Sequence, residues 1–217
     1  MATQIAPFVF RTKFDQTVLL GKKAANAREL LEGIRSGPGS SIYYHTHKFL
    51  QQHHYLSPEP PNDFAYWTSN VLNEQALGEI LSSVDIIQFN KIADLRARFV
   101  GILEQHLSSS RRVAEAPAGE EFYFMGSRTF VLDTPHTASN LEEFAEALQA
   151  VSVHSLYYHV FDARLRMERE ENDFSEWFRK LGRGVLADEM LKLDPYTQTL
   201  EGLRRRIIQL VKHHGQD

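Results

Sequence analysis

The sequence predicts a mainly α-helical protein made by tandem duplication of one helical unit, with about five helices per copy and pseudo-two-fold symmetry. Three observations predict this class. Short motifs of the first half of the chain return in the same order in the second half, and apolar residues recur with helical spacing through most of each half. An aromatic run of extended character stands at the start of each half. We therefore expect a short β-strand or hairpin to lead each copy.

Four pairs of motifs carry the repeat. They are Phe8-Val9-Phe10 with Phe122-Tyr123-Phe124, Ser41-Ile42-Tyr43-Tyr44-His45 with Ser155-Leu156-Tyr157-Tyr158-His159, Asn62-Asp63-Phe64 with Asn172-Asp173-Phe174, and Leu95-Arg96 with Leu203-Arg204. Such an ordered series with small changes in spacing is typical of duplication followed by changes in loop length. We place repeat one at residues 1–107, a linker at 108–120 and repeat two at 121–217, and we expect both repeats to share one compact unit.

Each copy begins with its aromatic run, and in the second copy Gly126-Ser127 precedes Thr129-Phe130-Val131-Leu132, which predicts a small hairpin. A first helix follows, with Asn26 or Asn140 as its N-cap. Its apolar face consists of Leu30, Leu31 and Ile34 in one copy and of Leu141, Phe144 and Leu148 in the other.

The second helix carries the Tyr-Tyr-His motif and is predicted to start after Ser40-Ser41 or His154-Ser155, because serine is a good N-cap. Ile42, His45 and Phe49 have the spacing of one helix face. The third helix is predicted to start at the Asn-Asp pair, with a buried stripe of Phe64, Trp67 and Val71 or of Phe174, Trp177 and Leu181.

Two further helices complete each copy. The fourth is short, contains Leu77, Ile80 and Leu81 or Leu186, Met190 and Leu191, and is predicted to end near Asp85 or Asp194-Pro195. The last buries Ile92, Leu95, Phe99 and Ile102 in one copy and Leu200, Leu203, Ile207 and Leu210 in the other.

Composition excludes several classes of protein. The chain has no cysteine, so disulfide frameworks and thiolate chemistry are excluded. Its N-terminus lacks the pattern of a signal peptide, and no apolar stretch approaches the roughly 20 residues of a membrane span, so we expect a cytoplasmic protein. A net charge of −4 gives no basic surface for nucleic acid. The glycine loops of nucleotide-binding proteins and the Gly-x-Ser-x-Gly elbow of serine hydrolases are absent.

The second copy resembles the prokaryotic family known as domain of unknown function 5752. The resemblance rests on Ser155-Leu156-Tyr157-Tyr158-His159, Asn172-Asp173-Phe174-Ser175-Glu176-Trp177, Leu193-Asp194-Pro195-Tyr196 and Thr199-Leu200-Glu201-Gly202-Leu203-Arg204. It covers nearly the whole chain, although the first copy has Ile86-Ile87 where the second has Pro195-Tyr196. The resemblance implies the repeated fold and implies no particular activity.

Histidine and aspartate are the repeated residues best suited to chemistry. His45, His159, Asp63 and Asp173 would make a plausible site for a divalent metal that activates water, if duplication brings them together. The alternative is structural. A histidine on an apolar helix face is usually a core residue with hydrogen-bonded partners, and an Asn-Asp pair at a helix start usually caps that helix.

The remaining repeated side chains also have two interpretations. Trp67 and Trp177 are core anchors or sugar-stacking platforms, and Arg96 and Arg204 form structural ion pairs, with Asp85 or Asp194 for example, or clamp an anion. One tyrosine of each pair, such as Tyr44 or Tyr158, is expected to line a cleft. Arg166, two helical turns after His159, either binds an anion or lies on a solvated face balanced by Glu168, Glu170 and Glu171.

The sequence favours a non-catalytic protein that binds a small polar molecule or a partner protein in a cleft between the repeats. The expected binding residues are Tyr44, His45, Tyr158, His159, Arg166, Trp67 and Trp177, and this reading requires no cofactor. A metal-dependent hydrolase and a purely structural homo-oligomer are the alternatives.

Overall fold

The computed structural model describes residues 5–48, 62–110, 112–193 and 199–215. Over these residues the protein is mainly helical and contains one two-stranded β-sheet, as the sequence predicts for its fold class. The strands are β1 (Phe8–Ala24) and β2 (Phe122–Ala138). Among the helices of this described part, none combines the length and the apolar character of a membrane span.

The helices of the first half are α1 (Ala27–Ser36), α2 (Gly39–Tyr43), α3 (Asp63–Asn70), α4 (Gln75–Ser82) and α5 (Ile92–Ser109). Those of the second half are α6 (Leu141–Ala150), α7 (Val153–Tyr157), α8 (Ala163–Met167), α9 (Asp173–Lys180), α10 (Gly184–Leu191) and α11 (Leu200–His214). Two π-helical turns, π1 (Tyr44–Lys48) and π2 (Tyr158–Asp162), continue α2 and α7. A short 3-10 turn, Ile86–Gln88, precedes α5.

The chain forms two compact units, and the division between them cuts through both strands. We call them the N-unit, with described residues 15–48, 62–110 and 112–128, and the C-unit, with described residues 5–14, 129–193 and 199–215. β1 begins in the C-unit and ends in the N-unit, whereas β2 begins in the N-unit and ends in the C-unit. Each unit therefore combines the first residues of one strand with the last residues of the other.

Contacts within each unit show that the strands run antiparallel. In the C-unit the Thr134 hydroxyl donates to the Phe10 carbonyl at 2.7 Å, and Arg11 Nε lies 2.9 Å from Asp133 Oδ1. In the N-unit Lys23 Nζ lies 2.8 Å from Glu121 Oε1. Residue numbers rise along one strand as they fall along the other, which defines antiparallel pairing.

The predicted short strand or hairpin is wrong in length and in form. β2 continues through Gly126-Ser127 without a turn and, like β1, is 17 residues long. A Cβ on Gly126 would lie 3.3 Å from both Leu20 Cδ2 and Ser40 Oγ. Gly126 therefore accommodates a close approach of neighbouring side chains, a role of glycine in strands that sequence alone does not separate from a turn.

The N-unit core forms where the predicted helical faces meet. Asn26 and Asn62 cap α1 and α3 by accepting the amides of Glu29 and Ala65, as predicted. The buried side chains of the predicted stripes include Leu30, Ile34, Phe64, Trp67, Leu77, Leu81, Leu95 and Phe99. Phe122 and Phe124 from the start of β2 complete this cluster.

The C-unit core has the same kinds of contact. Asn140 and Asn172 cap α6 and α9, as predicted, and Asn172 forms a reciprocal capping box with Ser175. The buried side chains include Phe144, Leu148, Phe174, Trp177, Phe178, Leu186, Met190, Leu203 and Ile207. Phe8 and Phe10 from the start of β1 lie among them, and both are buried.

One glycine of α1 permits the close packing of a β2 phenylalanine. A Cβ placed on Gly33 would lie 2.0 Å from Phe124 Cζ, closer than any real contact. Phe124 is 2% exposed, so its ring has little space to move aside. The strand therefore approaches α1 closely because residue 33 has no side chain.

The predicted start of the second helix is also wrong by a few residues. α2 begins at Gly39 after Pro38, and α7 begins at Val153 with Ser152 as its N-cap. The serines proposed as caps lie inside the helices, where Ser41 and Ser155 are buried. Phe49 and Asp194-Pro195 lie outside the described residues.

The repeated arginines contact carbonyl groups at the ends of helices. Arg204 Nη1 donates to the carbonyls of Leu148, Gln149 and Val151 at 3.1, 3.2 and 2.6 Å. Arg96 Nη1 donates to the Arg35 carbonyl at 3.4 Å, near the end of α1. The last carbonyls of a helix lack intrahelical partners, and a cation there also favours the helix dipole. The structure thus places these arginines on helix ends, and Arg204 Nε also lies 3.1 Å from Glu201 Oε2 in α11. Asp194, an expected ion-pair partner, lies outside the described residues.

Candidate functional site

His159 and Asp173 form a hydrogen-bonded pair in the C-unit. His159 lies in π2, and Asp173 is the first residue of α9, directly after the Asn172 cap. The imidazole Nδ1 lies 2.7 Å from Asp173 Oδ2, and 3% of the histidine residue is exposed. The cap thus positions the carboxylate, and the π-helical turn positions the ring.

The second nitrogen of His159 holds the backbone of β1. The Arg11 amide donates to His159 Nε2 at 2.7 Å. Because a backbone amide can only donate, Nε2 must accept, and the ring proton must lie on Nδ1, where it is donated to Asp173. The imidazole is therefore neutral, and both of its nitrogens are occupied.

The electrostatic surroundings stabilise this protonation state. Burial lowers the pKa of His159 below its ordinary value of 6.5, although the hydrogen bond to Asp173 opposes the shift. Burial would raise the pKa of Asp173, but hydrogen bonds from His159 and Arg166 outweigh it and bring the pKa below its ordinary 3.8. A neutral imidazole next to an ionised carboxylate is the resulting state at neutral pH.

Arg166 completes the polar contacts of Asp173. Its Nη2 lies 2.7 Å from Oδ1 and 2.6 Å from Oδ2, and its guanidinium lies 4.5 Å from the centre of the Tyr158 ring. The nearby glutamates were the expected partners of a solvated Arg166, and the structure gives it Asp173 as an ion-pair partner. Its charge is therefore offset within the C-unit.

The N-unit contains the same histidine arrangement. His45, in π1, places Nδ1 2.7 Å from Asp63 Oδ2, and its Nε2 accepts the Met125 amide of β2 at 3.0 Å. His45 is buried like His159. Tyr44 packs edge-on beside its ring at 5.0 Å. The position that corresponds to Arg166, Gln52, lies outside the described residues.

A tryptophan provides a second backbone contact to each strand start. Trp177 Nε1 donates to the Ala6 carbonyl at 3.2 Å, and Trp67 Nε1 donates to the Glu120 carbonyl at 2.8 Å. Both tryptophans are 5% exposed, so neither offers a broad open ring face for stacking a sugar. Their geometry is that of core anchors with satisfied indole groups.

We call these two sets of residues strand clamps. The C-clamp consists of His159, Asp162, Asp173, Trp177, Phe144 and Phe174 and holds residues 6–13 of the chain. The N-clamp consists of His45, Asp63, Trp67 and Phe64 and holds residues 120–125. In each clamp a histidine accepts a strand amide, a tryptophan donates to a strand carbonyl, and aromatic rings pack against two phenylalanines of the strand.

The metal site considered from the sequence would need histidines and aspartates of both repeats to come together. The structure places His45 with Asp63 in one unit and His159 with Asp173 in the other. Within the described residues, no three His, Cys, Asp or Glu side chains are grouped so that they could hold a metal ion. A histidine nitrogen that accepts a backbone amide must lose this bond before it can bind a metal or take a proton from water.

A separate groove of about 750 Å³ opens on the C-unit surface, between α6, the α9–α10 connection and α11. Its charged lining residues include Glu142, Glu146, Arg183 and Lys212, which balance one another in sign. The binding residues proposed from the sequence do not line this groove.

Sequence reasoning missed two features of the clamps. The strand amides of Arg11 and Met125 leave no signature in side-chain patterns. The buried ion pair of Lys13 with Asp162, at 2.5 Å in the C-unit, was also missed, and the Lys13 amine lies 5.1 Å from the Tyr157 ring centre. A lysine next to an aromatic strand motif is the signal that could have indicated it.

Comparisons with known proteins cover almost the whole chain. The model of a family described as "Family of unknown function (DUF5752)" matches residues 5–212. The structure of OrfY from Thermoproteus tenax is similar, with a TM-score of 0.81 and 28% sequence identity, over 98% of this chain and 97% of the OrfY chain. No curated protein matches the sequence.

Proposed function

We propose that this chain, which belongs to the DUF5752 family of unknown function, is a non-catalytic protein-interaction module. In this proposal the helices hold a long β-ribbon, and the ribbon presents apolar side chains to a partner protein. The clamp histidines support a non-catalytic role, because each has both ring nitrogens engaged within its own unit.

One observation carries the proposal. Phe14, Phe130 and Leu132 are exposed by 61%, 46% and 54% on the C-unit part of the ribbon. The rings of Phe14 and Phe130 lie 6.5 Å apart, and Leu132 is on the same strand face as Phe130 because side chains alternate. We call these three residues the ribbon patch. Contiguous exposed apolar side chains are typical of interaction surfaces.

An internal duplication is part of the same proposal. It is supported by the matching contacts of His45 and His159, of Trp67 and Trp177, and of the four asparagine caps. The two halves would then differ mainly at positions such as Arg166, which adds an ion pair to the C-clamp.

A photo-cross-linking amino acid at position 130 tests the proposal in cells. We expect a discrete cross-linked product that is lost when Leu132→Ser is added and that is reproduced with the purified partner. The control places the same cross-linker at Val185, which is 65% exposed on α10. The proposal fails if position 130 yields no discrete product, or only the products that position 185 yields. A product with twice the chain mass would identify a second copy as the partner.

A further inference from the structure

The C-clamp contacts a short sequence pattern in the strand that it holds. Phe8 packs edge-on against His159, Phe174 and Trp177, with ring centres 4.9, 5.4 and 5.6 Å apart. Phe10 packs against Phe144 at 5.2 Å. Both phenylalanines are buried, whereas Val9 between them is exposed. The clamp therefore depends on phenylalanines at alternate positions and leaves the residue between them free.

The polar contacts of the clamp recognise backbone and one charge. Trp177 holds the carbonyl of Ala6, two residues before the first phenylalanine, and His159 holds the amide of Arg11, directly after the second. Asp162 pairs with Lys13 at 2.5 Å. Backbone contacts do not depend on side-chain identity, so the recognised pattern is an extended Phe-x-Phe-x-x-Lys.

The N-clamp shows that such contacts tolerate different sequences. It holds Phe122-Tyr123-Phe124-Met125 where the C-clamp holds Phe8-Val9-Phe10-Arg11. Phe122 packs against His45 at 4.6 Å and Trp67 at 5.6 Å, and the backbone contacts fall at corresponding positions. The residues between and after the phenylalanines differ in size and charge, and the geometry is retained.

The strand and its clamp are distant in the chain. The partners of Arg11 and Ala6 are 148 and 171 residues away. No short covalent connection selects the strand of the same chain, so an identical strand of another copy could make the same contacts. Exchange of an identical element between two copies forms a dimer at a small cost in free energy.

We propose that the C-clamp is a binding site for an extended Phe-x-Phe-x-x-Lys segment, and that the segment it accepts in trans is residues 5–13 of a second copy of this chain. In the isolated chain the site is filled by its own strand. The tethered strand acts at an effective concentration in the millimolar range, so a free segment binds when that strand is displaced. This site does not involve the ribbon patch.

The test uses the full chain carrying Phe8→Ser and Phe10→Ser, and a fluorescent peptide of residues 5–13 as the probe. We expect saturable one-to-one binding by fluorescence polarisation, about a hundredfold tighter than binding to the unaltered chain, whose strand competes. The control variant Val9→Ser keeps both clamped phenylalanines and should bind the peptide as weakly as the unaltered chain. Adding His159→Ala to the double variant should abolish binding.

Two results would overturn the inference. One is a folded double variant that does not bind the peptide, and the other is equal binding of a peptide whose own Phe10 is replaced by serine. If the double variant does not fold alone, the single variant Phe10→Ala replaces it, and the peptide should raise its melting temperature, because a ligand of the folded state stabilises that state. Failure of the peptide to stabilise either variant counts against the site.

Discussion

His159 accepts the backbone amide of Arg11 through Nε2 at 2.7 Å, across 148 residues of sequence. The same ring donates to Asp173 through Nδ1. Since both nitrogens are engaged, this histidine fastens a strand to the helices of the C-unit. The imidazole of the second Tyr-Tyr-His motif thus makes structural contacts.

Acid should weaken the fold through His159. Because burial holds its folded-state pKa below 6.5, the unfolded chain takes up the proton first as pH falls. The stabilisation is complete above about pH 6.5 and is lost below it, by at most about 1.4 kcal/mol per pH unit for one proton. Asp173, whose pKa is also lowered, adds a loss only below its ordinary 3.8. Calorimetric unfolding between pH 7.5 and 5.0 measures the effect.

His159→Gln should reduce this pH dependence. At pH 7.5 the variant should be less stable by about 1–3 kcal/mol, because the Arg11 amide loses a well-placed acceptor. Its stability should then fall less steeply than that of the unaltered chain down to pH 5.0. His213→Gln, which removes an exposed imidazole of α11, is the matched control. Equal slopes for His159→Gln and the unaltered chain would contradict the assignment.

Gly33→Ala should destabilise the N-unit, although alanine is the better helix former. The added methyl group overlaps the Phe124 ring, and overpacking costs about 1–3 kcal/mol. The gain in helix propensity offsets about 1 kcal/mol of that cost. Thermal unfolding should therefore show a lower melting temperature.

Gly101→Ala is the control for that prediction. Gly101 lies in α5 with open space around its Cβ position, so the substitution should raise stability by up to about 1 kcal/mol. Phe124→Leu should partly rescue Gly33→Ala by vacating the space of the ring. If Gly33→Ala stabilises the protein as much as Gly101→Ala does, the Phe124 ring does not approach residue 33 as closely as the structure shows.

Removing Arg204 should destabilise the C-unit. Its Nη1 donates to three carbonyls at the end of α6, and hydrogen bonds to charged groups contribute about 1.5–3 kcal/mol. We expect Arg204→Met to lower the free energy of unfolding by about 2 kcal/mol. The free energy of unfolding of Arg204→Lys should lie between those of Arg204→Met and the unaltered chain. The neighbouring exposed Arg205→Met is the control in urea denaturation. Equal effects of the two substitutions would show that Arg204 is not a cap.

The ion pair of Lys13 and Asp162 should respond differently to single and double substitution. Lys13 is buried, and removing one partner of a buried pair costs about 3–5 kcal/mol because the remaining charge loses a close counter-ion. Asp162→Asn should therefore be strongly destabilising. The double variant Lys13→Met with Asp162→Leu should recover most of the loss, as measured by a double-mutant cycle that includes Lys13→Met and Asp162→Leu as single variants. A double variant no more stable than the single ones would contradict this account.

Local features of the fold could be predicted from the sequence. The asparagine caps and the buried helix stripes depend on spacing within a few residues, which sequence displays directly. Asn62 and Asn172 illustrate this, since each is followed by an acidic residue and an apolar stripe. The starts of α2 and α7 were misplaced because Ser41 and Ser155 resemble caps but are buried inside the helices.

Long-range features could not be predicted in the same way. The aromatic run Phe8-Val9-Phe10 predicts an extended segment, but it does not say which helices Phe8 and Phe10 contact. The spacing likewise places His45 on one helix face with Ile42 without identifying its Met125 partner. Gly126 resembles a turn residue, although the structure uses it for close packing within a continuous strand.

The tautomeric state of the two clamp histidines shows whether these residues hold the strands. Long-range proton–nitrogen correlation spectra at pH 7.5, with hydrogen-exchange rates of the Arg11 and Met125 amides, would report it. We predict that His45 and His159 are neutral, with the proton on Nδ1 and Nε2 accepting, and that both amides exchange slowly. Protonation on Nε2, or rapid exchange of those amides, would show that the histidines do not hold the strands.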